Sequence, residues 1–317
     1  MTRGVGGKVQ VADYNNLRTK INAVLGTPTT GYGQVLNSIV VTTGNKVSSN
    51  NWNALRQDLI NARYHQTGSD PSGSLTLATV NQDISEAIFA QYDSFADTVT
   101  ADNRIIASNQ GSTESVQTST RATNWSVSLT HTVYIDFSTA DQLRYFFNAG
   151  GDIRFRAYRQ GAAASTKDTA WSSMLGDNSS ITGQGTIYMN YTETGTIAGT
   201  YDSIGTGSAI GFYDLTGTNQ QIHIKYAPIG NYSENYYSIA ARVNVTPNPT
   251  QLIFTITFAD ADIGDVPVPS PPPPYGPLQD EQVTGTLASI VTLFRPSGAY
   301  VSVNGPSTTS QAALSGS

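Results

Sequence analysis

Between residues 125 and 258 the chain repeatedly adopts a period of two. Trp125, Val127, Leu129, His131, Val133, Ile135 and Phe137 occupy alternate positions, with Ser126, Ser128, Thr130, Thr132 and Asp136 between them. Successive side chains of a strand point to opposite faces, so this run predicts a strand with one buried and one wet face. The alternation recurs at Ile153 and Phe155, at Ile187, Met189 and Tyr191, and at Ile210 and Phe212. It returns at Ile222, Ile224 and Tyr226, at Ile239, Ala241, Val243 and Val245, and at Leu252, Phe254, Ile256 and Phe258. Clusters of Gly, Asn and Asp separate the runs, which predicts an antiparallel β-sandwich over residues 122–265. Two short helices interrupt it. Ser138-Thr139-Ala140-Asp141 reads as a capping box leading into Leu143 and Phe147, closed by Gly150 and Gly151; the other covers residues 169–175 with Trp171 and Met174.

Upstream the period is helical, and it is duplicated. Tyr14-Asn15-Asn16-Leu17-Arg18 matches Trp52-Asn53-Ala54-Leu55-Arg56, the pattern aromatic-Asn-x-Leu-Arg repeated 38 positions on. Tyr14, Leu17, Ile21, Val24 and Leu25 share one helical face, as do Trp52, Leu55, Leu59 and Ala62. Asp13 and Ser49 or Asn50 are candidate N-caps, and Gly26 is a stop signal. Helices of about a dozen residues are marginal alone, so both must pack on something. A duplicated amphipathic element over residues 1–68 predicts docking through Tyr14, Leu17, Ile21, Trp52, Leu55 and Leu59; mutual packing is the plainer alternative. Over residues 69–121, a helical stalk and connector is expected. Ile84, Ile88, Tyr92, Phe95 and Val99 give a longer helix within residues 80–107, either lying along a threefold axis or packed on its own chain.

Residues 266–278 carry Pro267, Pro269 and the run Pro271-Pro272-Pro273-Pro274, the composition of a stiff extended linker. Beyond it, residues 279–317 contain strand patterns at 283–294 and 300–303. Forty residues are too few for a core of their own, so cover from a neighbouring chain or from the same chain is expected. The fold class read from these patterns is α+β, mainly β: N-terminal helices, an antiparallel sandwich and a small C-terminal β segment.

The chemistry on offer is sparse. Only 13% of the 317 residues are charged, against about 25% in ordinary soluble proteins. A net charge of −6 gives no electrostatic footprint for nucleic acid. There is no cysteine, no apolar leader after Met1, and no apolar run long enough to span a bilayer, so synthesis in a cytoplasm is expected. Three histidines are present: His65 reads as a cation at a helix end, and His131 and His223 as structural residues of strands. Neither a nucleophile elbow, a phosphate loop nor a zinc-binding His pair occurs, so no catalytic residue, no cofactor and no enzymatic activity are expected. The best metal candidate is the trio Asp260, Asp262 and Asp265, which could ligate Ca²⁺ but misses the EF-hand spacing and sits where acidic turns are common. Arg154 and Arg156 alternate with Ile153 and Phe155 near Arg159. The 17 tyrosines, Tyr232, Tyr236 and Tyr237 among them, suit contact with a protein or a glycan.

Three stretches are familiar in order and spacing: Phe146-Phe147-Asn148-Ala149-Gly150-Gly151-Asp152-Ile153-Arg154-Phe155, Trp171-Ser172-Ser173-Met174-Leu175, and Gly211-Phe212-Tyr213-Asp214-Leu215-Thr216. With Ala12-Asp13-Tyr14-Asn15-Asn16-Leu17-Arg18, Gly31-Tyr32-Gly33-Gln34 and Leu293-Phe294-Arg295-Pro296-Ser297-Gly298, the chain resembles virion structural and tail-fibre proteins of cyanophages and other marine tailed phages. The resemblance implies a non-enzymatic virion protein of the tail or baseplate, partnered by other virion proteins and by copies of itself, as a homotrimer. A host surface glycan or protein is a candidate contact; nucleic acid and membrane are not. The alternatives are a capsid or neck decoration protein and a virion-associated glycan hydrolase.

Overall fold

The computed structural model describes residues 9–161, 164–176, 186–197, 208–262, 266–267, 278–279, 281–306 and 308–316. Among these are five α-helices and two antiparallel five-stranded sheets, an α+β fold in which helices precede a sheet-rich region. Two compact units are interleaved along the chain. The first comprises Met1–Ser112, Asp141–Gly151 and Phe294–Gly305; the second comprises Thr113–Ala140, Asp152–Leu293 and Pro306–Ser317. The units therefore do not follow the five consecutive segments expected from the sequence.

The first unit is helical: α1 (Val11–Leu25), α2 (Ser49–Thr67), α3 (Glu86–Ala101) and α4 (Ala140–Asn148). Helix α1 is capped by Gln10 rather than by Asp13, the Gln10 N–H donating to the Asp13 carboxylate at 2.7 Å, and it stops at Gly26. Helix α2 is capped one residue before the expected positions, by Ser48, whose hydroxyl accepts the Asn51 N–H at 3.2 Å. Helix α3 is shorter than the sequence period suggests. The Ser85 hydroxyl accepts the Ile88 N–H at 3.3 Å and sets its start, and left-handed backbone at Asn81 and Arg104 brackets it. It packs on its own unit. Trp52 of α2 meets Tyr92 and Phe89 edge-on at 5.3 and 6.5 Å, and the Lys20 ammonium of α1 lies 2.6 Å from Asp93 and 2.7 Å from Asp97. Helix α4 belongs to this unit rather than to the sandwich. Its Asn148 carboxamide donates to the Thr29 and Gly31 carbonyls, both at 2.9 Å. Gly33 is needed here: its φ is 76°, and a Cβ would lie 2.3 Å from the Tyr145 ring.

The second unit holds both sheets. Its strands are β1 (Gly111–Arg121), β2 (Leu129–Asp136), β3 (Asp152–Gln160), β4 (Thr186–Met189), β5 (Thr194–Ile197), β6 (Gln220–Tyr226), β7 (Tyr236–Val243), β8 (Gln251–Ala259), β11 (Thr286–Pro296) and β12 (Thr308–Gly316), with β9 (Val266–Pro267) and β10 (Leu278–Gln279) forming a two-stranded ladder. Strand β1 begins, and β11 ends, with residues of the first unit. One sheet runs β1-β11-β3-β4-β5 and the other β12-β2-β8-β7-β6. Their inner faces meet: Phe155 packs on Phe254 at 4.9 Å, and a His131 ring nitrogen lies 2.8 Å from the Ser289 hydroxyl. Val133 opposes Phe254 and Ile239 opposes Ile256, so alternate residues of three strands fill one core. Each such side chain contributes about 1.5–3 kcal/mol by leaving water. Helix α5 (Thr166–Leu175), capped by the Ser165 hydroxyl on the Asp168 N–H, packs Trp171 against Trp125 at 4.7 Å.

Several sequence expectations are corrected here. Residues 111–121, assigned to a helical connector, are the edge strand β1. Ile210 and Phe212 do not form a strand; Phe212–Asp214 is a 3-10 turn. The run beginning at Trp125 is a strand only from Leu129, with Trp125 bridging Val283 alone. Strand β12 was not foreseen, and the pattern at 300–303 amounts to one Ser297–Ser302 bridge. The C-terminal segment folds back on its own chain, one of the two covers expected for it. Strand β11 enters the sheet between β1 and β3, and β12 pairs with β2, Thr308 opposite Asp136 and Gly316 opposite Leu129. The proline-rich stretch is described only near its two ends. Val266 and Pro267 pair antiparallel with Gln279 and Leu278, so its ends meet; Pro271 to Pro274 lie outside the described residues.

Candidate functional site

The duplicated motif has a structural meaning that its apolar members alone do not reveal. Tyr14, Leu17, Ile21, Trp52, Leu55 and Leu59 are buried to within 2% and form the helical core, with Tyr14 edge-on to Trp52 at 5.6 Å. Side chains spent on the interior cannot dock a partner, which corrects the role expected for all six. The polar members do something else. Asn15 donates from its carboxamide to the Val41 carbonyl at 2.8 Å and accepts the Val41 N–H at 3.0 Å. Asn53 repeats this on Ala78, at 2.9 and 3.0 Å. Arg18 Nε donates to the Ser38 carbonyl at 3.0 Å, and Arg56 Nε to the Leu75 carbonyl at 2.9 Å. In both copies the arginine grips the chain three residues before the asparagine does. Each Asn imitates a neighbouring strand, satisfying both backbone groups of one residue.

Two segments outside the helices and strands are thereby clamped by side chains. A tyrosine hydroxyl also serves each: Tyr14 donates to the Ile39 carbonyl at 3.1 Å, and Tyr92 to the Thr76 carbonyl at 2.7 Å. In the first copy the buried Asp58 carboxylate adds four bonds, from the Asn37 and Ser38 N–H groups, the Asn37 carboxamide and the Ser38 hydroxyl, between 2.6 and 2.9 Å. Between the clamps, at matching positions, lie Val40 and Leu77, 62% and 56% exposed. Neither backbone amide nor carbonyl of these two residues has a partner among the described residues. An exposed apolar side chain on an unpaired extended edge is a template for a further strand. Val35, Ile39 and Val80 add exposed apolar surface on the same stretches.

The calcium candidate resolves differently. Lys167 of α5 is fully buried, its ammonium 2.7 Å from Asp260 and 3.1 Å from Asp262, and it donates to the Glu281 carbonyl at 2.7 Å. A protein cation therefore already occupies the place between those two carboxylates; Asp265 lies outside the described residues. Burial pushes Asp260 up to about 8, helped by its hydrogen bond to Asp262 and opposed by Lys167. Burial also pushes Asp262 upward, but hydrogen bonds from Asp260, Asn235 and Lys167 outweigh it and hold its carboxyl low. The triad is thus close to neutral as a whole. Next to it on α5, buried Asp168 bonds Arg159 and accepts the Thr284 N–H and hydroxyl, each at 2.8 Å. Lys167 and Asp168 together pin residues 281–284, where the chain returns to the sheet. Arg159 points inward, opposite to Arg154, which pairs with Asp152 at 2.6 Å; Arg156 lies over the Tyr158 ring at 5.5 Å.

The histidines are structural. His65 is not a helix-end cation. It is fully buried, its Nε2 2.8 Å from the Ala149 carbonyl, and burial drives its pKa down to about 4. The alternation of Ile222, Ile224 and Tyr226 puts His223 on the polar phase of its strand, yet a bulge between Gln221 and His223 turns both Ile222 and His223 inward. The same shift buries Lys225, which donates to the Met174 carbonyl at 2.8 Å and whose pKa falls through desolvation. Among the described residues, no helix is long and apolar enough to cross a membrane, and no group of three or more His, Asp or Glu is placed to hold a metal ion.

Comparison of the chain with protein-family models, with curated proteins and with solved structures returns no match.

Proposed function

We propose that this protein is a non-enzymatic structural component of a phage particle, a tail-fibre or baseplate-associated fibre protein that attaches through its helical unit and presents its sheet-rich unit. The observation that carries the reading is the pair of clamped segments. Two copies of one motif hold extended backbone rigid, and each offers an unpaired edge with an apolar side chain, Val40 or Leu77, facing solvent. Rigid, duplicated, unpaired edges suit permanent assembly into a larger particle by strand addition, and they do not suit turnover of a substrate. The neutral polar composition and the resemblance to virion proteins of tailed phages support the same conclusion. Assembly with copies of itself, as a trimer, belongs to the proposal on this ground alone, because the helices and the C-terminal strands are covered within one chain.

The test replaces surface residues, not core ones. Phage carrying Val40→Asp with Leu77→Asp should yield particles lacking the protein by mass spectrometry, while the purified variant keeps its melting transition. Normal incorporation refutes attachment by these edges. Density for the protein on the head rather than the tail, in a reconstruction of the particle, would replace the fibre reading with a decoration protein.

A further inference from the structure

The sheet-rich unit carries one preorganised aromatic surface that its core does not need. Strands β4 and β5 are joined by a tight turn in which Asn190 Oδ1 accepts the Thr192 and Glu193 N–H groups at 2.8 and 2.9 Å. The segment 211–214 is locked onto this turn. Phe212 N–H donates to the Asn190 carbonyl at 2.9 Å, Tyr213 N–H to the Tyr191 carbonyl at 3.2 Å, and Gly211 N–H to the Asp214 carboxylate at 3.2 Å. Gly211 sits so close that a Cβ would fall 2.4 Å from the Thr192 carbonyl carbon. Phe212 is the buried anchor, and Tyr213, next to it, points out. The Tyr213 ring lies nearly parallel to that of Tyr191, 5.4 Å away at 16°, yet the residue is 72% exposed. A second tyrosine therefore holds one ring flat and leaves its other face to solvent.

We propose that Tyr213, backed by Tyr191, is a stacking platform for a pyranose ring of a neutral or amino-sugar glycan. The inference rests on the fibre reading and names the class of surface that the sheet-rich unit would meet. A tyrosine face is electron-rich, and the C–H bonds of a sugar, polarised by their oxygens, bind there without a deep pocket. A fixed ring loses little conformational freedom when it does so. The turn and the segment bonded to it also carry groups that can meet sugar hydroxyls: the carboxylates of Glu193 and Asp214, the Tyr188 hydroxyl that donates to Glu193 at 2.8 Å, and the Asn190 carboxamide nitrogen, which has no partner among the described residues. Acceptors dominate, which favours a ligand rich in O–H and N–H donors. Two exposed carboxylates within the same turn and the segment bonded to it disfavour phosphates and acidic sugars, so a neutral or amino sugar suits this surface better than a nucleic acid or a uronate. A protein hot spot would need a larger apolar surround, whereas the rim here is polar.

The test uses the purified full-length chain and a panel of free oligosaccharides: galactobiose, mannobiose and chitotriose as neutral probes, chitosan trimer as the amino sugar, and trigalacturonate as the acidic control. Binding is followed by NMR line broadening of the sugar up to about 10 mM. At least one neutral or amino sugar should bind, and trigalacturonate should not. Tyr213→Ala should weaken binding by about tenfold or more, Tyr213→Phe should retain it, and Tyr191→Ala should weaken it less than Tyr213→Ala. Because Tyr213 is exposed, its variants should melt like the parent. Absence of binding to every probe, or equal binding by Tyr213→Ala, overturns the platform. Neither outcome touches particle incorporation, which tests the fibre reading separately.

Discussion

Replacing Lys167 by Met removes the cation that faces Asp260 and Asp262 among the described residues, at 2.7 and 3.1 Å, together with its bond to the Glu281 carbonyl. Met fills nearly the same volume, so the loss is electrostatic and not a cavity. Leaving buried carboxylates unpaired costs about 3–5 kcal/mol. The cost should depend on pH with a definite sign. Without the ammonium, Asp262 loses one of the interactions that hold its pKa down, and both carboxyls take up protons in the folded state. A group whose folded pKa lies above its unfolded value favours folding at low pH and loses that advantage as pH rises through the folded value. Asp260 already behaves this way in the parent, with a pKa near 8. The Lys167→Met deficit should therefore be full at pH 8 and smaller at pH 4.5, because the carboxyls left without the ammonium take up protons more readily as pH falls. Urea unfolding followed by tryptophan fluorescence measures it, since Trp125 and Trp171 report from beside α5. A deficit below about 1 kcal/mol at pH 8, or one equal at both pH values, would refute the argument that the cation neutralises this site.

The duplicated clamps predict matched effects: Asn15→Ala and Asn53→Ala should each cost about 1–2 kcal/mol, and hydrogen exchange at the Val41 and Ala78 amides should accelerate in the corresponding variant only. Unequal protection loss would mean that the two copies do different things. For His65, a folded pKa near 4 against an ordinary value of 6.5 makes the unfolded state the better proton binder between them. Stability should fall as pH drops through about 6.5 and level off below 4, a loss of about 3 kcal/mol, and an NMR titration should find the ring neutral at pH 5. A midpoint near 6.5 would place the ring in solvent.

What could be read from the sequence follows the strength of the local period. Strands β2, β7 and β8 are half-buried, and their alternate Val, Ile and Phe residues announce them. Strand β1 lies at a sheet edge and reads Gly-Ser-Thr-Glu-Ser-Val-Gln-Thr-Ser-Thr-Arg, with one aliphatic residue, so no apolar period marks it. His223 was misplaced because one inserted residue inverts every later side chain of its strand, and a bulge has no sequence signature of its own. The aromatic-Asn-x-Leu-Arg repeat was visible as a pattern, but only half of it could be interpreted. Its aromatic and Leu positions follow from helical spacing, whereas its Asn and Arg act on backbone 19 to 26 residues downstream. Asp58, Lys167 and Asp168 were illegible for the same reason, since a buried charge is explained only by partners that the fold brings to it.

Those distant partners also account for the way the two units interleave. Lys167 and Asp168, adjacent on α5, bond residues 114 and 116 positions later in the chain, and both bonds fall on the stretch leading into β11. Strand β11 then takes the place between β1 and β3, and its last residues pass into the helical unit. The sheet therefore lacks an inner strand until nearly the whole chain is present. A segment with that position must be held in register before its own ladder can form, and two buried charges beside its entry point supply directional, short-range holds that apolar contacts lack. The geometry explains why a chain with so few charges keeps several of them dry: they mark where the chain must come back.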